Sequence, residues 1–276
     1  MPLSALAEGG FLEGFSPPTE ALDPSGAWKH TYDICLTDGK PPAQRIGGRP
    51  ADSFGGPPGQ RGFLSVERAP AADGKPVALA VEVQVLQTTF AVQLTKAKIQ
   101  CANDALSTPQ SWQIESVLLS ADTQPIAETK IAERATVKEG RIEVETINAP
   151  NDVRRSRTMK VPAPFTANWC LFDAVQRLPW KDMSPLPFAM LEDLDLLKEG
   201  QRLYLHGPLS LTVNDKELPL TEYVQIGEGI LPYHYGVDGQ RRLLFVAGGR
   251  RLYIWNPSAP QRLEETRQRL SRRAGK

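Results

Sequence analysis

From Ala27 the chain alternates in twos. In "AWKHTYDICL" (Ala27–Leu36), Trp28, His30, Tyr32 and Ile34 fall on one face and Lys29, Thr31, Asp33 and Cys35 on the other. That is the period of a half-buried strand. The same code returns in "FLSVERA" from Phe63. It continues through "PVALAVEVQVLQ", where Leu79, Val81, Val83 and Val85 alternate with Ala80, Glu82 and Gln84. "FAVQLTKAKIQCAND", "SWQIESVLLSA", "ETKIAERATVKEG" and "RIEVETI" extend the run. "DGK" at Asp73–Lys75 is a hairpin turn signal. A second series holds a strand at Leu186–Leu191, a turn through "DLLKEGQ", a strand at Arg202–Val213, a turn at Asn214–Lys216 and then "ELPLTEYVQIGEG". It closes on a meander, Leu231–Val237, Arg241–Val246 and Arg250–Trp255, turned at Asp238-Gly239 and Gly248-Gly249.

One stretch breaks the alternation. "PAPFTANWCLFDAVQRLPW" offers Thr166 as N-cap and Pro179 as the stop. Leu171, Val175 and Leu178 follow i, i+4, i+7, and Trp169 and Phe172 widen the stripe. A stripe this apolar packs deeply against a sheet. The predicted fold is therefore mainly β: a curved antiparallel sheet or open barrel packed on one central helix, Thr166–Leu178.

Three segments flank or interrupt this domain of residues 27–256. Residues 1–26 lack periodicity and read as an N-terminal arm pinned by Phe11 and Phe15. Asp38–Gly62 is so rich in Gly and Pro that a long loop is expected. Its glycines carry no Gly-Lys-Ser/Thr ending, so it is not a phosphate loop. Residues 257–276, "PQRLEETRQRLSRRAGK" and its flank, read as a basic tail forming a short, solvated surface helix.

Composition narrows the function classes. Lys+Arg and Asp+Glu both number 32. No net field draws the chain to nucleic acid or to an acidic membrane surface. Nothing approaches 18 consecutive apolar residues, so no transmembrane helix is expected. The 24 prolines and 22 glycines are spread along most of the chain and favour many short strands. The three cysteines, Cys35, Cys101 and Cys170, show no CxxC and no metal-ligand spacing. One disulfide with a free thiol and three reduced thiols both fit. Ala5-Leu6-Ala7 has the small-x-small form of a cleavage site, read either as the stub of a trimmed export signal or as an ordinary terminus.

The chemical candidates are few. Cys170 stands in the first turn of the helix, where the dipole lowers a thiol pKa, and His206 and His234 lie on strands downstream. Together they describe a thiol-dependent hydrolase. The bulky neighbours in "NWCLF" describe a buried cysteine instead. His30, His206 and His234 are too far apart in sequence for a metal motif, and neither a metal nor a cofactor is expected. Glu192, Asp193 and Asp195 are adjacent acids in a turn, not a facing carboxylate pair. Arg154, Arg155, Arg157 and Lys160 form a short basic cluster, the pattern of a charged strand edge rather than a nucleic-acid site.

The aromatic set remains. Tyr233 and Tyr235 share a face of the meander, His234 takes the other, and Tyr253 and Trp255 lie two strands over. With Trp169 these six residues sketch an aromatic-lined concavity for an apolar small molecule or lipid. They also describe a sheet face simply covered by the helix.

"WKHTYDICL", "FTANWCLFDAVQRLPW" and "GEGILPYHYGVDGQRRLLFVAGGRRLYI" together resemble exported bacterial β-proteins of unknown function. The curved sheets of those proteins are similar to those of the periplasmic lipoprotein carriers. The likeness spans roughly residues 27–256 and rests on structural motifs. It implies a helix plugging an apolar half-barrel, a periplasmic or secreted location and an envelope partner or apolar ligand. No catalytic residue is implied.

Overall fold

The computed structural model describes residues 2–6, 10–36, 60–70, 76–87, 91–120 and 122–274. Among them, fifteen strands form one sheet in the order β8-β7-β6-β5-β4-β3-β2-β1-β15-β14-β13-β12-β11-β10-β9. The first half runs β1 (Trp28–Leu36), β2 (Gln60–Ala69), β3 (Val77–Leu86), β4 (Val92–Cys101), β5 (Pro109–Leu119), β6 (Pro125–Lys138), β7 (Arg141–Asn148) and β8 (Val153–Lys160). The second runs β9 (Phe165–Ala167), β10 (Leu186–Glu192), β11 (Leu196–Val213), β12 (Lys216–Ile226), β13 (Tyr233–Asp238), β14 (Leu243–Gly248) and β15 (Arg251–Trp255). Only β9 and β10 run parallel. The β1–β15 ladder joins the halves, and the sheet stays open at β8 and β9.

The sheet curls around α1 (Asn168–Ala174), which continues as a 3-10 turn over Val175–Arg177. Trp169, Leu171, Phe172, Val175 and Leu178 share one apolar cluster with residues from β1 to β7 and β9 to β14. A flat sheet of this width could not deliver both halves to one short helix. The ends also meet at the surface: Arg157 on β8 is ion-paired with Asp195 in the β10–β11 turn. The predicted open barrel on a central helix is the fold observed.

The helix is buried on every side, not along one stripe. Asp173 and Gln176 are sealed along with the apolar residues. Gln176 accepts from the Leu243 amide at 3.2 Å and donates to the Phe172 carbonyl at 2.8 Å. The carbonyls of Leu178 and Pro179, which the helix end leaves without partners, accept from the Tyr223 hydroxyl at 3.2 and 2.9 Å. Leu178 is already extended (ψ 153°), as a residue before proline prefers.

The outer face is covered in patches. Leu3, Leu6, Phe11, Leu12 and Phe15 pack on Leu211, Leu220, Phe245 and Leu252. Leu3 and Leu6 are wholly buried, so this end of the chain belongs to the fold rather than trailing from it. α2 (Ala259–Ala274) lays Ala259 and Leu263 on Phe63, Leu86, Val92 and Leu119. The tail is thus docked at its start rather than solvated, because Ala259, Leu263 and Thr266 form an i, i+4, i+7 stripe, all buried.

Other expectations change locally. Thr166 is not the N-cap. Its hydroxyl donates to the Leu106 carbonyl at 2.6 Å, and Ala167 holds the cap position without a side-chain bond. The turn read in "DLLKEGQ" falls earlier, where Asp193 and Leu194 take positive φ. "KEG" instead forms a bulge inside β11, with Gly200 at φ 66° and the register slipping opposite Phe188 and Met190. Of the expected 38–62 loop, Gln60–Gly62 belong to β2, and the remainder lies outside the described residues, as does the Asp73–Lys75 turn. The basic segment Val153–Lys160 is the edge strand its charges suggest.

Candidate functional site

Alternation sends Leu64, Val83 and Ile114 of the first half-sheet inward, and Tyr253 of the second. α1 fills most of the space between them. Where it begins, a cavity of about 330 Å³ remains. Leu64, Val83, Val85, Ile114, Trp169 and Tyr253 give it apolar and aromatic walls. Gln87, Gln93, Thr95 and Ser116 add polar surface, and Glu133, Asp193, Asp195 and Arg251 add charge. Asn168, at the helix start, fixes the β10–β11 turn: its side-chain amide donates to the Asp193 carboxylate at 2.9 Å and accepts from the Asp193 amide at 3.0 Å. Arg157 reaches across the seam from β8, 3.7 Å from Glu133 and paired with Asp195. Glu133 accepts from the Trp112 indole at 3.3 Å, and burial nevertheless raises its pKa.

Of the six residues proposed to line a ligand site, Trp169 and Tyr253 line this cavity. Tyr233 stands near Tyr253 and is stacked on Tyr235, ring centroids 6.5 Å apart. It lies flat over Gly248, where an added Cβ would come within 2.1 Å of the ring. Only glycine opposite Tyr233 permits that approach. Tyr235 is sealed in the core, 2% exposed, and donates to Gln225 at 2.8 Å. His234 faces the other way, its Nδ1 2.9 Å from Glu222. Trp255 lines a separate cavity of about 450 Å³ between the arm (Phe11–Thr19), Asp33 and Arg262. Two outer grooves, about 760 Å³ at the β11 bulge and about 550 Å³ beside α2, involve none of the six.

The thiol-hydrolase arrangement does not assemble. Cys170 is wholly buried, its sulfur 3.7 Å from that of Cys101. That contact and burial hold its pKa well above the ordinary thiol value, opposite to the lowering expected at a helix start. His206 and His234 are both taken by Glu222, at 2.8 and 2.9 Å. His30 is apart from both, stacked on Trp28 in the inner core, where burial and the charge of Arg242 lower its pKa to about 4. Among the described residues no His, Cys, Asp and Glu group could hold a metal ion.

One buried feature lies outside every candidate the sequence offered. Asp173 is wholly enclosed and sits 2.8 Å from Arg68 Nε on β2 and 3.0 Å from Arg177. The Ser107 hydroxyl donates to it at 2.6 Å. Arg68 in turn donates to the Gly26 carbonyl at 2.7 Å. An acid within an apolar helical stripe is the one local hint, since such a group is tolerated only when paired.

No family model matches the chain, and no curated protein does. Among solved structures, the chain is similar to a β-barrel-like protein of the domain of unknown function DUF1849 from Brucella abortus. The two share 7% identity over 83% of this chain and 94% of that one, with a TM-score of 0.48. Among the described residues no helix is long and apolar enough to cross a membrane.

Proposed function

We propose that the chain is an exported, non-enzymatic bacterial protein that holds an apolar small molecule or lipid on the concave face of its sheet. The observation that carries the reading is the cavity of about 330 Å³ beside the start of α1, lined by apolar and aromatic side chains together with polar and charged ones. Ligand sites combine an apolar body with a few polar groups at the opening, in volumes upward of about 300 Å³. Trp169 and Tyr253 offer flat apolar surface, and Arg251 with Asp193 and Asp195 can orient a polar end. Export follows from the sequence resemblance to exported bacterial β-proteins.

The test is native mass spectrometry of the purified protein, followed by titration with an apolar fluorescent probe. A one-to-one adduct is expected, and probe binding weakened at least about tenfold by Val83→Trp, which fills the cavity. Probe binding that is unchanged in Val83→Trp, while that variant melts like the parent, would remove the cavity from the account.

A further inference from the structure

Two of the three cysteines touch, although 69 positions apart in sequence: Cys101 ends β4, Cys170 lies in α1, and their sulfurs are 3.7 Å apart. Cys35 is elsewhere, in the outer cluster beneath the N-terminal arm. The two segments that carry the pair are already fastened to each other. The Thr166 hydroxyl donates to the Leu106 carbonyl at 2.6 Å, Ser107 donates to Asp173 at 2.6 Å, and Arg177 donates to Ser107 at 2.6 Å. A disulfide needs about 2.05 Å between sulfurs. The two sulfurs must therefore close by roughly 1.6 Å, through side-chain rotation and small shifts of the two fastened segments.

We infer that Cys101 and Cys170 are an oxidation site, and that a disulfide between them staples the central helix to the first half of the sheet. The reaction is thiol–disulfide exchange with a disulfide-bearing oxidant such as oxidised glutathione. One thiolate attacks the oxidant, displaces the first glutathione and forms a mixed disulfide. The second thiolate then attacks the protein sulfur of that bond and displaces the second glutathione. Two S–H bonds are lost and one S–S bond is gained. The two electrons and two protons end on two glutathione thiols. In the closed fold both sulfurs are shielded from solvent. The exchange therefore belongs to folding, when residues 101–108 and 166–177 first meet. Once formed, the staple is shielded from reductants by the same packing. This site is independent of the cavity, and either can fail without the other.

The experiment refolds the full chain in a glutathione redox buffer, denatures it, blocks free thiols with N-ethylmaleimide and reads the intact mass and the tryptic map. One adduct is expected, on Cys35, with Cys101 and Cys170 recovered as a linked peptide pair. Reduction before blocking should give three adducts. Cys170→Ala should give two adducts without prior reduction, on Cys35 and Cys101, and Cys35→Ala none. The oxidised form should melt roughly 10 °C above the reduced form, as expected for a long closed loop. Three adducts on the refolded parent, or a linked pair containing Cys35, would overturn the inference.

Discussion

Asp173 and Glu222 are both carboxylates caught between two basic side chains, and they sit on opposite faces of the sheet. Asp173 faces inward, wholly buried, held by Arg68 and Arg177. Glu222 faces outward, held by His234 and by the largely exposed His206. The inner site uses guanidinium groups, planar forks whose geometry matches a carboxylate. The outer site uses imidazole rings, one of them mostly in water. The inner site thus fastens α1 to β2 away from solvent, whereas the outer cluster ties three neighbouring strands, β11, β12 and β13, partly in water. Closure away from solvent is what a plug needs.

Substitutions can break that contrast. Asp173→Ala leaves Arg68 buried with no carboxylate, and should cost about 3–5 kcal/mol in denaturant unfolding. A loss below about 1 kcal/mol would mean that the cluster does not anchor the helix.

His30 comes next in size. Its folded pKa of about 4 lies below the ordinary 6.5, so it is buried neutral. Its stabilising contribution is present above pH 6.5 and is lost as pH falls from 6.5 toward 4. The loss amounts to at most about 3 kcal/mol. His30→Gln should flatten the stability profile in that window.

Glu222 gives a smaller effect at lower pH. Burial alone would raise its pKa, but hydrogen bonds and charge from His234 and His206 outweigh burial and lower it below the ordinary 4.5. Its contribution is present above pH 4.5 and disappears as pH falls through the lowered value. Glu222→Gln should cost about 1 kcal/mol at neutral pH and remove that acid limb. His206→Ala should cost less, about 0.5 kcal/mol or under, because the ring is mostly in water. If His206→Ala matched Glu222→Gln, the outer cluster would be more tightly closed than its exposure indicates.

Much of this architecture was legible residue by residue. The alternation of Trp28, Tyr32 and Ile34, or of Leu79, Val81 and Val83, is a local property that sheet geometry enforces, and each set faces the inner cluster. The stripe at Leu171, Val175 and Leu178 marked the helix for the same reason. What stayed hidden depends on distant partners. Ser107 and Arg68 reach Asp173 from 66 and 105 positions away, and no local pattern records such a meeting. The hydroxyl of Thr166 was lost to Leu106 by the same kind of competition. Gly200 misled because a bulge and a turn both need positive φ. In the site, spacing put Tyr233 with Tyr235 on one face of the meander, and the structure turns that face inward. Spacing could not show that Trp255 opens on a second cavity, or that Tyr235 is closed over.

The central claim is that α1 is a sealed plug around which the sheet curls. Amide hydrogen exchange measures this directly. The account predicts that residues 168–178 exchange only through global unfolding, among the slowest of the chain, and far more slowly than the exposed face of α2. Rapid exchange across 168–178 while the strands remain protected would contradict it.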